Sequence, residues 1–469
     1  MALVGLALLL LPGLLVVRAP WTAVAPLSLA FWVVSAWWWP FATAGRSRVL
    51  AATLAGSFLL ALLRLLPKHE VGPPPGFAPR RSPPAVERAG LPAPLLRTGP
   101  SLVVLAAALG LLAPASFWHN APGARIAFQT TTARLIVWRD GIPVTAEPLL
   151  PLAPVGAHAP AVATLIADLS LVSGLDPGCA APWVVAAAAA LLLVGLFSLH
   201  ATWASPHAAA AGALVGLAAS PWPAVLALWG DGEALIALAL LLPAATLVVG
   251  HASRSSAVAA ALLLAAGALA QPVLAAAILL ACSAFILLGA SAAPRRASRL
   301  LAIAGLALAF AGPGLMPLAR ALSFGESQSA VRSVRAPELL WFAFGVLCAS
   351  LAPLAFRGRG SRPVSSGGRR AQVSMALAAA LLLGIRVHGW FRAGELRADV
   401  RAALARAAER VPPLSAICAG DDVRDFIPAL IGRRAGEPGV WVPAAYSEEW
   451  ARRAAWPCDT ALETGMFRR

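Results

Sequence analysis

One feature repeats along this chain: runs of about 18 or more apolar residues, separated by short connections that carry arginine. They fall near 2–17, 21–43, 49–66, 100–118, 182–199, 203–220, 232–249, 256–270, 272–290, 300–318, 338–356 and 374–391. Only a helix satisfies its own backbone polar groups within a single segment, so runs of this length read as membrane-spanning helices. The pattern predicts an all-α polytopic membrane protein of about twelve helices. Composition agrees, because a charged fraction of 12% is about half that of soluble domains. WPAVLALW at 222–229 is too short to span and reads as interfacial or re-entrant. The opening MALVGLALLLLPGLLVVRAPW lacks a basic leader and a clear cleavage site, so it reads as a first membrane segment.

The net charge of +16 is almost entirely arginine, Lys68 being the single lysine. Arginines in short loops between apolar segments are the mark of topology signals, which removes nucleic acid from the expected partners. Arginine without lysine, together with abundant alanine, points to a GC-rich bacterial genome and hence to a bacterial inner membrane. PRRASR (294–299) and RGRGSRPVSSGGRR (357–370) belong on the cytoplasmic side. Stepping through the helices then puts 119–181 and 392–469 outside, and leaves the proline-rich 67–97 inside as a linker. GRSR (45–48) also asks to be inside, although one helix separates it from 67–97; the two demands conflict. The expected organisation is extra membrane segments at 1–66, a linker at 67–99, a helical body at 100–391 with its exported loop at 119–181, and a periplasmic region at 392–469.

The exported loop reads as two surface helices. In ARIAFQTTTARLIVW, Ile126, Phe128, Ala133, Leu135 and Val137 supply apolar contact, while Arg125, Arg134 and Arg139 supply charge. A proline-rich turn follows, then AVATLIADLSLVSG, opened by Pro160 and closed by Gly174. The tail reads as a small α/β domain: an amphipathic helix in GELRADVRAALARAAERV, a buried strand in LSAICA, and a turn into a short helix in DDVRDFIPALIGRR. VWVP and SEEWARRAAW suggest a further strand and helix. Cys282 and Cys348 read as core residues of membrane segments. Cys418 and Cys458 share the exported tail and are candidates for a disulfide, which would leave Cys179 unpaired.

The spanning segments hold almost no ionisable residues, which argues against an ion-coupled transporter. Chemistry is then confined to the outer surface, a layout that suits a substrate carried on a polyprenyl phosphate. Arginines at a helix–membrane interface can neutralise that phosphate; Arg125, Arg134 and Arg139 are candidates, with Arg320, Arg332 and Arg335 opposite. Sugar transfer needs a carboxylate to take the acceptor's proton. Asp140 and Glu147, flanking the turn, are the candidates for that role; Asp168 and Asp176 read as structural. Asp231 and Glu233 in LWGDGEAL, His119, His158, Asp421 and Asp422 are candidates for substrate contact. No Cys/His spacing marks a metal site, so a divalent metal stays an open cofactor question.

TTARLIVWRDGIPVTAEPLLPLAPVGAHAPAVATLIADLSLVSGLDP (131–177), LWGDGEALIALALLL (228–242), and GDDVRDFIPALIGRR (420–434) with YSEEW (446–450) resemble the GT-C superfamily of membrane glycosyltransferases. The protein mannosyltransferases and lipid A aminoarabinose transferases are the types meant, and the resemblance covers roughly 100–469. It implies a GT-C-like body, a polyprenyl-phosphate sugar donor, and transfer to a glycan, lipid or protein acceptor of the envelope on the periplasmic side. It also implies an acid just after the helix leading into the exported loop. That position falls on His119-Asn120 here, and asparagine cannot act as a base. The role has then moved to Asp140 or Glu147, or the alignment is shifted, or the chain is a non-catalytic relative that serves as a scaffold in envelope-glycan assembly. A lipid or solute transporter is the remaining expectation from a different class.

Overall fold

The computed structural model describes residues 1–14, 21–38, 45–65, 99–121, 123–143, 147–150, 161–202, 204–219, 232–250, 254–288, 293–312, 396–413, 415–436 and 460–461, with Leu381 and Ile385. The described apolar runs and the two loop helices fold as α1 (Ala2–Leu9), α2 (Leu11–Leu14), α3 (Trp21–Trp38), α4 (Arg46–Leu65), α5 (Gly99–Leu112, continued by a 3-10 turn Ala113–Ser116), α6 (Ala124–Arg139), α7 (Ala161–Ser173), α8 (Pro177–His200), α9 (Pro206–Ala219), α10 (Gly232–Gly250), α11 (Arg254–Ala270), α12 (Pro272–Leu288) and α13 (Ala293–Ala311). The expected helix at 300–318 is displaced, because α13 takes PRRASR into its first turns and ends at Ala311. The expected segment at 2–17 is divided between α1 and α2. WPAVLALW and the segment at 338–356 lie outside the described residues, as does 374–391 apart from Leu381 and Ile385.

Among the described residues three helices are long and apolar enough to cross a membrane: Gly99–Ser116, Pro177–His200 and Gly232–Val249. The other apolar stretches run to 10–17 residues, so twelve full spans are not present among the described residues. The first of the three is 33% buried and the other two about four-fifths buried, at 83% and 78%. Thus α8 and α10 form the centre, while α5 keeps an apolar outer face that includes Leu102 and Leu109.

Hydrogen bonds between helices fix which ends lie together. Thr22, at the start of α3, meets Ser198, near the end of α8, at 3.0 Å. Arg299 of α13 donates to the Leu247 carbonyl of α10 and to Ser256 of α11. At the other end Trp38 Nε1 donates to the Phe310 carbonyl, joining the last turns of α3 and α13. The helices therefore alternate in direction, and the loop helices α6 and α7 lie at the end marked by Trp38 and Phe310, beside the starts of α8 and α10. Small residues let the central helices approach: a Cβ at Gly195 would stand 3.1 Å from Leu242 Cβ.

The expected surface helices α6 and α7 are in fact interior. Residues 126–136 and 161–170 are all buried. The polar stretch Thr130, Thr131, Thr132 tolerates this because each hydroxyl donates to the carbonyl four residues back, at Ile126, Ala127 and Phe128. The bundle covers one side of α6, and the tail covers another.

In the tail, α14 (Ala398–Arg410) buries Val400, Ala403, Leu404 and Ala407. Three short parallel strands, β1 (Ala416–Cys418), β2 (Arg434–Ala435) and β3 (Thr460–Ala461), stand in the order β2-β1-β3. Between β1 and β2 come α15 (Asp421–Arg424) and a π-helical turn, Ile427–Ile431. Phe426 and Ala429 pack against Ala127 of α6. Cys418 is disulfide-bonded, while Cys179 and Cys282 are free. The expected partner Cys458, together with Cys348, VWVP and SEEWARRAAW, lies outside the described residues.

Candidate functional site

The polar groups of the loop end are arranged along α6, which meets a different element at each level. Before its first turn, Asn120 is 2% exposed. Its Oδ1 accepts from the Leu396 amide at 3.1 Å, and its Nδ2 donates to the Ala121 carbonyl at 3.2 Å. The residue standing where the resemblance wants an acid therefore fastens the tail to the entry of the loop. His119, beside it, is exposed.

In the middle of α6, Gln129 Nε2 donates to Glu233 Oε1 at 2.5 Å. Glu233 lies in the first turn of α10, half-buried, where the helix dipole favours a carboxylate. Gln129 is 4% exposed, and its Oε1 is a buried acceptor. Gly232 permits the approach, since a Cβ there would stand 3.1 Å from Ile126 Cδ1 and 3.4 Å from Val162.

One turn further on, Arg134 is buried. Its Nη2 donates to Asp176 Oδ1 at 2.6 Å and to the carbonyls of Ala429 and Leu430 at 2.9 and 3.1 Å. Asp176 is also the N-cap of α8, accepting from the Gly178 amide at 2.8 Å. One guanidinium thus joins α6, α8 and the tail.

At the end of α6 the chain turns at Asp140, which takes the left-handed conformation at φ 50°. Its Oδ1 accepts from the Ser47 amide at 2.6 Å and its Oδ2 from Ser47 Oγ at 2.8 Å, while its carbonyl accepts from the Arg46 amide. Asp140 therefore supplies the N-terminal cap of α4 from across the sequence. Arg139 donates to the Glu147 carbonyl at 2.5 Å, and Arg434 donates to the Pro148 carbonyl at 3.0 Å. Glu147 is exposed. Behind this corner Asp168, fully buried in α7, is held by Arg46 through Nε at 2.8 Å and Nη2 at 2.5 Å. Burial pushes the Asp168 carboxyl up, and the charge and hydrogen bonds of Arg46 pull it down.

The candidate residues are thus spread out. Gln129 and Asp140 are about 16 Å apart along α6 at about 1.5 Å per residue, and Arg125 and Asp140 about 22 Å. Of the expected substrate contacts, Glu233 meets α6, while Arg134 and Arg139 are engaged with carbonyl groups of the protein. The backbones of Arg125, Asp421 and Asp422 lie at the starts of α6 and α15. His158, Asp231, Arg320, Arg332 and Arg335 lie outside the described residues. Among the described residues no three His, Cys, Asp or Glu side chains gather as a metal site. Sequence reasoning passed over Gln129, Arg46 and Ser47. For Gln129 a signal existed, since a glutamine leading a threonine run on an otherwise apolar stretch needs buried partners.

No protein-family model and no curated protein matches the sequence. Three solved structures of the oligosaccharyltransferase of Archaeoglobus fulgidus are similar. That of AglB in complex with an inhibitory peptide and a dolichol-phosphate has 13% identity and a TM-score of 0.43, over 76% of this chain and 68% of that one. One tethered to an acceptor peptide containing the NVT sequon has 13% identity and a TM-score of 0.42, over the same shares. One in complex with Zn and sulfate has 15% identity and a TM-score of 0.41, over 75% of this chain and 66% of that one.

Proposed function

We propose that the chain is a GT-C-type membrane glycosyltransferase that moves a sugar from a polyprenyl-phosphate donor to an envelope acceptor at the loop end of the helical bundle, on the periplasmic side. The observation that carries this reading is the position of Glu233. It is a half-buried carboxylate in the first turn of the central helix α10, hydrogen-bonded to Gln129 of the loop helix. A donor whose lipid tail lies in the bilayer brings its phosphate and sugar to this level, and a carboxylate fixed there can take the proton of an acceptor hydroxyl. In this reading Asp140, whose carboxylate caps α4, keeps a structural role, and proton transfer falls to Glu233.

The test is turnover by the purified full chain with a panel of polyprenyl-phosphate sugars, comparing wild type with Glu233→Gln, Glu147→Gln and Asp140→Asn. The expected result is a loss of about 10²-fold or more in Glu233→Gln, with Asp140→Asn near wild type. Loss in Asp140→Asn or Glu147→Gln, with Glu233→Gln unaffected, would move the proton acceptor to that residue.

A second reading rests on Asn120. An amide stands where the resemblance expects an acid, buried and bonded to Leu396. It favours a non-catalytic relative acting as a scaffold in envelope-glycan assembly, and no turnover with any donor would support it. A transporter is disfavoured by the absence of Asp, Glu and Lys from the described spans Gly99–Ser116, Pro177–His200 and, beyond Glu233 at its start, Gly232–Val249.

A further inference from the structure

We propose that the turn Gly45–Ser47 is a clamp at the loop end that sets the position of α6 against α7, so that α4 is part of the framework of the candidate site. The proposal is independent of the reaction assigned above.

Three contacts carry it. Asp168 of α7 is fully buried and held by two hydrogen bonds from Arg46, itself 2% exposed. A carboxylate removed from water in this way is tolerable only with its counter-charge in place. The residue before Arg46 has no side chain, and a Cβ at Gly45 would collide with the Asp140 carboxylate. The residue after it, Ser47, gives both its amide and its hydroxyl to that same carboxylate. Three consecutive residues thus grip the end of α6 through Asp140 and the middle of α7 through Asp168.

The helix ends fit as well. Asp140 ends α6, its carboxylate caps the positive end of α4, and its own carbonyl accepts from the Arg46 amide. The clamp places GRSR at the loop end. Arg46 is buried against Asp168, which leaves Arg48 as the exposed arginine of this turn. With the turn at the loop end, α4 runs away from it toward Leu65 at the opposite end of the bundle.

The experiment uses the full chain in membranes, with Cys179→Ser to remove the exposed thiol and a protease site inserted in 67–97. Ser47→Cys and Asp140→Cys are introduced together and oxidised mildly. The two fragments should stay joined until reduced; fragments that separate without reductant overturn the clamp. Arg48→Cys should react with a membrane-impermeant maleimide from the same side as Glu147→Cys, and Lys68→Cys only after permeabilisation. Labelling of Arg48→Cys together with Lys68→Cys overturns the placement.

Positioning is read separately, from oxidation of the pair Gln129→Cys/Glu233→Cys, with Thr22→Cys/Ser198→Cys as the pair at the far end of the bundle. In an Arg46→Met background the first pair should close about tenfold more slowly, with the second unchanged. Equal slowing at both ends, or none at either, overturns a local clamp.

Discussion

Arg134 and Asp176 form an ion pair at 2.6 Å in which the arginine side chain is 9% exposed and the aspartate 45%. The pair therefore contributes less through its charge than through where it aims the guanidinium, whose Nη2 also meets the carbonyls of Ala429 and Leu430. Asp176 keeps water and its cap on α8 if the arginine is lost, whereas the two carbonyls lose a charged donor.

Arg134→Ala should cost about 2–3 kcal/mol, the scale of buried hydrogen bonds to a charged group. The loss should be local to the tail. Limited proteolysis is expected to cut near 427–436 in the variant under conditions that spare the wild type. Asp176→Asn keeps the cap acceptor for the Gly178 amide and should change little. If both variants were equally open to protease, the ion pair rather than the carbonyl contacts would hold the tail.

Arg46→Met should cost about 3–5 kcal/mol, because it strands the buried Asp168 carboxylate. The sign of its pH dependence follows from the carboxyl's surroundings. Burial already pushes Asp168 above its ordinary value, and losing Arg46 removes the charge that pulls it down. A carboxyl raised in the folded state contributes stability that is complete below its unfolded value and is lost as pH rises through its folded value. The Tm gap between variant and wild type should therefore shrink as pH falls from about 8 toward about 5. Adding Asp168→Asn should flatten that trend, and a gap that stays constant with pH in Arg46→Met would show that Asp168 is not the group responsible.

The apolar runs made the helices of the bundle legible in the sequence, because length and hydropathy are local properties of the chain. The partners of the polar residues were not legible. GRSR reads as a cytoplasmic signal when its charges are counted, since nothing near it shows that Arg46 meets Asp168, 122 positions away. ARIAFQTTTARLIVW reads as a surface helix because threonines count as polar, yet their hydroxyls are satisfied within the helix and the stretch is buried. Asp140 reads as a candidate proton acceptor beside the turn, and is a cap for a helix that precedes it by almost a hundred residues. Asp168 and Asp176, read as structural from their apolar and proline neighbours, do form internal contacts, because those neighbours are part of the environment that buries or orders them.

Asp140→Asn and Asp140→Ala should separate capping from catalysis. Asparagine tolerates the left-handed conformation and is as good an N-cap as aspartate, so Asp140→Asn should stay within a few tenths of a kcal/mol of wild type. Alanine loses both the cap and the conformational fit, at a cost of about 2 kcal/mol. Asp140→Gly should fall between them, keeping the fit and losing the cap. Thermal unfolding of the three variants gives the order, and a large loss in Asp140→Asn would mean that the charge itself is needed.

Asn120→Asp restores the acid that the resemblance expects, and its outcome bears on which of the two functional readings holds. The substitution keeps an acceptor for the Leu396 amide but replaces the donor that faces the Ala121 carbonyl with a second acceptor. At 2% exposure a carboxylate in that place is costly, on the order of 2–4 kcal/mol, and its folded pKa is raised. By the sign rule applied to Asp168, the variant should be least stable above neutrality and recover as pH falls toward the ordinary carboxylate range. The expected result at about pH 7.5 is a lower Tm, earlier proteolysis of the tail around Leu396, and no gain of turnover with any polyprenyl-phosphate sugar. A stable Asn120→Asp protein that turns over donor faster than wild type would instead return the catalytic acid to the entry of the loop and leave Glu233 as a substrate contact.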